Sequence, residues 1–143
     1  DETCVVVCPH CHAANRVPSA RLGESPNCGK CKRPLFPGHP IELDAAHFDE
    51  HAARSEIPLV VDFWAPWCAP CRAMAPAFAA AARTLEPQFR LVKVNTDDQQ
   101  QLAHRFGIRS IPTLAILHGG REIARRSGAL DAGSLIRWIT AHA

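Results

Sequence analysis

The chain has 143 residues, room for one ordinary domain or for a compact domain of about 100 residues with a small appendage. A hydrophobic fraction of 47% and a formal charge of +2 exclude a disordered polyelectrolyte. The longest apolar run, 57–71, is broken by three prolines and Asp62, and no basic stretch followed by an apolar one opens the chain, so neither a membrane span nor a signal peptide is expected.

Residues 1–40 hold five of the seven cysteines and six of the twelve prolines, with little periodic apolar pattern. Cys8/Cys11 and Cys28/Cys31 form two C-x-x-C turns, Cys68/Cys71 form a third, and Cys4 is left over. Close pairs with an odd remainder point to metal and redox chemistry in a reducing, cytoplasmic setting, not to a secreted disulfide framework. The spacing C-x2-C-x16-C-x2-C matches a zinc ribbon. Cys8, Cys11, Cys28 and Cys31 are therefore expected to hold one structural zinc in a closed four-thiolate shell. Iron suits the same shell by softness and geometry, and two disulfides are the metal-free alternative. Cys8-Pro-His-Cys11-His12 also matches the c-type haem attachment pattern, but so short a proline-rich segment cannot build a haem pocket. A piece this small needs such a staple, because below about 40 residues a chain buries too little surface to fold alone. Pro34 to Pro40 reads as the exit linker, dividing the chain into a zinc module with linker (1–40) and a second domain (41–143).

From Ile41 onward strands and helices alternate. Leu59-Val-Val-Asp-Phe-Trp64 is apolar on both faces, as a central strand requires. Residues 69–86 are alanine-rich and helical, with Met74, Phe78 and Leu85 inward and Pro76 as an interior kink. Arg90 to Asn95 is a second buried strand, and Asp98 to Phe106 a short helix. Thr113–Leu117, Gly119-Gly120 and Glu122–Arg125 form a hairpin. Leu130 to His142 is an amphipathic helix directing Leu135, Ile136 and Ile139 inward. The fold class is α/β: a mixed central sheet with helices on both faces, preceded by a small zinc-ribbon-like module.

Cys68 and Cys71 follow a strand and open a helix. At a helix N-terminus, free backbone N–H groups and the positive dipole end favour a thiolate, the nucleophile of disulfide exchange. Cys71, one turn inward, is placed to resolve the mixed disulfide. Pro70 costs no hydrogen bond in the first turn and stiffens the loop between the sulfurs. Asp62, a carboxylate inside an apolar strand, is expected to have a raised pKa.

These stretches resemble thioredoxin: Val61-Asp-Phe-Trp-Ala-Pro-Trp-Cys-Ala-Pro-Cys71, Val92-Lys-Val-Asn95 and Phe106-Gly-Ile-Arg-Ser-Ile-Pro-Thr113, with Gly120 and Gly128 where the family places glycines. With the cysteine-rich start, the arrangement is similar to the bacterial thioredoxin 2 type, which carries a zinc module before its thioredoxin domain. Ala69 departs from the family's usual glycine. The resemblance implies the thioredoxin fold and reduction of protein disulfides through Cys68 and Cys71. It further implies that Asp62 accepts the proton of Cys71, through water, with Lys93 tuning it. Trp67, Ala69, Pro70, Ile111 and a cis Pro112 then form the surface that docks extended substrate. The implied partners are disulfide-containing proteins and a thioredoxin reductase as electron donor, with a monomeric protein and no organic cofactor.

Two other classes compete. A nucleic-acid-binding ribbon needs a basic footprint, yet residues 1–40 carry five Lys/Arg against three Asp/Glu, and four zinc-bound thiolates remove that surplus. A disulfide oxidase or isomerase on the same fold would need an oxidising compartment, which free metal-binding thiolates disfavour.

Overall fold

The computed structural model describes residues 2–143. Its first departure from expectation is at the N-terminus, where Thr3-Cys-Val-Val-Val, β-branched at all positions but Cys4, forms strand β1 (Thr3–Val7), paired antiparallel with β2 (Ala14–Pro18). The stretch 34–40 is not only a linker: Leu35 is fully buried, in a small core with Val6, Val17, Cys8, Cys28 and Ile57.

The remainder is a five-stranded sheet in the order β3-β5-β4-β6-β7, comprising β3 (Ile41–Glu42), β4 (Leu59–Trp64), β5 (Arg90–Asn95), β6 (Thr113–His118) and β7 (Arg121–Ser127). β3, β5 and β4 run parallel, β6 pairs antiparallel with β4 and β7 antiparallel with β6, giving the mixed sheet the pattern implied. The helices are α1 (Ala45–Asp49), α2 (Ala69–Leu85), α3 (Gln100–Arg105) and α4 (Ala132–Thr140). α1 runs on into a π-helical turn, Glu50–Arg54, which the sequence pattern does not announce. α2 continues past Pro76.

Strand alternation sends successive residues of β4 to two cores. Leu59, Val61 and Phe63 pack with Phe48 of α1 and Leu102 of α3. Val60 packs with Met74 and Phe78 of α2 and with Leu135 and Ile139 of α4. Asp62 shares the Val60 face and therefore points toward the α2 side. No helix among the described residues is long and apolar enough to cross a membrane.

The cysteine-rich hairpin is joined to the sheet by polar contacts. The Glu56 amide donates to Val5 O (2.8 Å), and the Val5 amide donates to Glu56 Oε1 (2.7 Å). Arg90 is 1% exposed, donates to Val7 O (3.3 Å) and to Glu86 Oε2 (3.2 Å), and lies over the Phe36 ring. Glu86 also accepts from the Gly38 amide at 2.9 Å. Leaving so buried a guanidinium without these partners would cost several kcal/mol, so Arg90 ties the hairpin to β5.

Candidate functional site

Cys68 is the N-cap of α2, in extended conformation, and its Sγ accepts from the Cys71 amide at 3.2 Å. Cys68 and Cys71 are joined as a disulfide, and both are buried with Ala65, under partly buried Trp64 and Ile111. The helix N-terminus that the motif required is thus present, with an N–H directed at the first sulfur. Pro70 occupies the first turn of α2 beside Ala69. Arg72 closes the preceding loop by donating to Pro66 O at 2.7 Å.

Across from the pair, the Ile111–Pro112 peptide is cis, and Ile111 O lies 3.7 Å from Cys68 Sγ. Two contacts that the motifs do not reveal hold this loop. The Gly128 amide donates to Pro112 O (2.9 Å), at a glycine with φ of 100°, and Thr113 Oγ1 lies 2.6 Å from Ser110 O. Trp67 is 68% exposed and donates to Asp97 Oδ1 at 3.2 Å. Ala69 and Pro70 thus lie between the two cysteines and Trp67 directly precedes them, while the Ile111 carbonyl, followed by Pro112, faces Cys68 from across.

Asp62 is 1% exposed, and neither carboxylate oxygen has a hydrogen-bond partner. Burial pushes its pKa up to about 7; Lys93 opposes the rise and Glu42 adds to it. Lys93 is the direct cross-strand neighbour of Asp62, and its Nζ sits 4.2 Å from the centre of the Trp64 ring.

The second cluster comprises Cys8, Cys11, Cys28 and Cys31, whose sulfurs all lie within 4.8 Å of one another. Two matching turns build it. The His12 amide donates to Cys8 O and the Lys32 amide to Cys28 O, with φ of 64° at His12 and 69° at Lys32. The His10 and Lys30 amides point at the Cys8 and Cys28 sulfurs, at 3.3 and 3.4 Å. Asn15, which no motif singles out, donates to Cys28 Sγ and accepts from the Gly29 amide. The Cys8–Cys31 and Cys11–Cys28 sulfur separations are 3.7 and 3.6 Å. A tetrahedral ion with metal–sulfur bonds of ~2.3 Å needs edges of ~3.8 Å, so the donor set fits. Cys4 stands outside the cluster as a free thiol opposite Val17.

Comparison with known proteins adds three findings. The family model described as Thioredoxin matches residues 39–141, and the one described as Thioredoxin 2, N-terminal matches residues 7–33. Thioredoxin C-3 of Corynebacterium nephridii is 42% identical over 94% of this chain and 92% of its own length. Thioredoxin 1 of Nostoc sp. is 43% identical over 66% of this chain and 89% of its own. Among solved structures, a single-substitution mutant of thioredoxin from Halobacterium salinarum NRC-1 superimposes with a TM-score of 0.66 at 25% identity, covering 73% of this chain and 91% of that one.

Proposed function

Because the chain belongs to the thioredoxin family and is a protein-disulfide reductase, we propose that Cys68 is the attacking thiol, Cys71 the resolving thiol and Asp62 the proton acceptor. The observation that carries this assignment is the Cys71 amide directed at Cys68 Sγ at the start of α2. In the reduced protein that amide and the helix dipole favour a Cys68 thiolate. The thiolate attacks a substrate disulfide, forming a Cys68–substrate disulfide and releasing the first substrate sulfur as thiolate. Cys71 passes its proton to Asp62, through water, and then attacks Cys68 Sγ. This forms the Cys68–Cys71 disulfide and releases the second substrate sulfur. Two electrons leave the dithiol and reduce one substrate disulfide to two thiols.

Lys93 moderates the Asp62 carboxyl from the adjacent strand. Trp67, Ala69, Pro70 and Pro112 flank the sulfurs, and the Ile111 backbone offers an edge for an extended substrate segment. The substrates are disulfide-bearing proteins, and a thioredoxin reductase restores the dithiol. The chain divides into a metal module with linker over 1–40 and a thioredoxin domain over 41–143, and it acts as a monomer. Cys8, Cys11, Cys28 and Cys31 hold one zinc, which supplies folding energy to the hairpin and leaves no open ligand position for catalysis. Four zinc-bound thiolates, unpaired as disulfides, require a reducing, cytoplasm-like environment, which also favours a reductase over an oxidase. The test is Cys68→Ser, which abolishes turnover of a protein disulfide under this assignment; full activity in that variant would refute it.

A further inference from the structure

The Asp62–Lys93 pair is not isolated. Glu42 on edge strand β3 pairs in register with Lys93 on β5, and Lys93 pairs with Asp62 on β4. Paired residues of parallel strands project to the same face, so Glu42, Lys93 and Asp62 form one row, a cation between two carboxylates. The two ends of the row differ. Asp62 is buried, at 1% exposure, whereas Glu42 is exposed at the sheet edge and lines an open cavity of about 430 Å³ with Trp64. Lys93 leans over Trp64, which lines that same cavity, and its charge acts on both carboxylates without forming an ion pair with either.

We propose that Glu42 is a positioning residue for the redox site: it competes with Asp62 for Lys93 and so keeps Asp62 able to accept a proton near neutrality. The proposal rests on the assignment of Asp62 as proton acceptor. Were Lys93 committed to Asp62 alone, the carboxylate would be held ionised and would be a poorer base for Cys71. Glu42 prevents that by drawing part of the ammonium charge outward and by adding its own negative charge to the row. The charges facing this row are few. Asp62 meets Lys93 and Glu42 from the sheet and lies on the face that packs against α2, the helix carrying Cys68 and Cys71. Glu42 meets Lys93 and Asp98, and the cavity beyond it adds Asp44, His47 and His12. Desolvation raises the Glu42 pKa overall, and the Lys93 charge acts against that rise.

Glu42→Gln keeps the shape of an exposed side chain and removes its charge, so the fold is retained. In full-length, metal-loaded, reduced protein, the Asp62 carboxyl is titrated by carbon-detected NMR. Glu42 and Asp62 are two strand spacings apart, roughly 10 Å. One charge at that distance moves a titration midpoint by about half a pH unit, roughly threefold in proton affinity. The expected result is a downward shift of that size in Glu42→Gln, with a parallel acid shift in the pH profile of disulfide reduction. In an Asp62→Asn background, Glu42→Gln should leave the profile unmoved. An unshifted Asp62 midpoint would overturn the proposal, as would an equal profile shift without Asp62. A wild-type profile that survives Asp62→Asn would instead refute Asp62 as acceptor, while the NMR midpoint still decides whether Glu42 governs it.

Discussion

Replacing Asp62 with asparagine should stabilise the oxidised protein, and by an amount that depends on pH. Burial moves this carboxyl from its ordinary 3.8 to about 7 in the folded chain. A folded-state pKa raised in this way means the unfolded chain gives up the proton first. Stability is therefore intact below the unfolded value, declines as pH rises, and carries its full penalty above pH ~7. The penalty integrates to about 2 kcal/mol near pH 5.5 and about 4 kcal/mol near pH 8. Asparagine buries an equally unpartnered polar group but cannot ionise, so the benefit of the variant should grow by about 2 kcal/mol across that window. For a chain of this size that is roughly 5–10 °C in melting temperature. Denaturant titrations of both proteins at the two pH values measure it, and using the oxidised form keeps Cys71 from titrating. A stability difference that stays constant with pH, or a variant less stable than the parent near pH 8, would refute the buried, raised Asp62.

The protein should carry one zinc per chain by elemental analysis, and converting Cys28 and Cys31 to serine should abolish it and melt the N-terminal hairpin. Because Ile57 and Arg90 are buried against that hairpin, the sheet should stay folded but melt at lower temperature than in the parent. Arg90→Met should cost about 3–5 kcal/mol, since Glu86 would be left buried without its cation, and Glu86→Gln on top of it should recover part of the loss. Denaturation of the single and double variants checks this. Trp67→Ala removes a largely exposed ring, so stability should change by less than about 0.5 kcal/mol, while reduction of protein disulfides slows more than reduction of a small disulfide.

The redox half of the molecule is legible because its signals are local. Val60 to Trp64 is apolar on both faces, Pro70 and Cys68 sit where a helix starts, and the glycines after His118 mark the hairpin. The four-cysteine cluster is equally plain, since each C-x-x-C turn is fixed by its spacing. What escapes is what distant segments do to one another. β1 is short and begins with Thr and Cys, so three valines alone do not announce a strand until β2 lies beside it. α1 buries only Phe48 in its five residues, too little for a periodic pattern. Arg90 reads as a polar strand end, and only the docked hairpin shows that Val7 and Glu86 enclose it. His12 follows Cys11 in sequence, yet its ring stacks on His47 and lies 3.0 Å from His51, at the junction of hairpin and domain. The Glu42–Lys93–Asp62 row depends on strand register, which local composition does not determine.

The central claim, that Cys68 attacks and Cys71 resolves, is tested most directly by trapping. Cys71→Ser protein, reduced and mixed with a disulfide-bearing protein, should accumulate a stable mixed disulfide, and peptide mass spectrometry should locate it at Cys68. Cys68→Ser treated in the same way should give little adduct. Adducts forming chiefly at Cys71 in the Cys68→Ser protein, with none at Cys68 in its counterpart, would contradict the assignment.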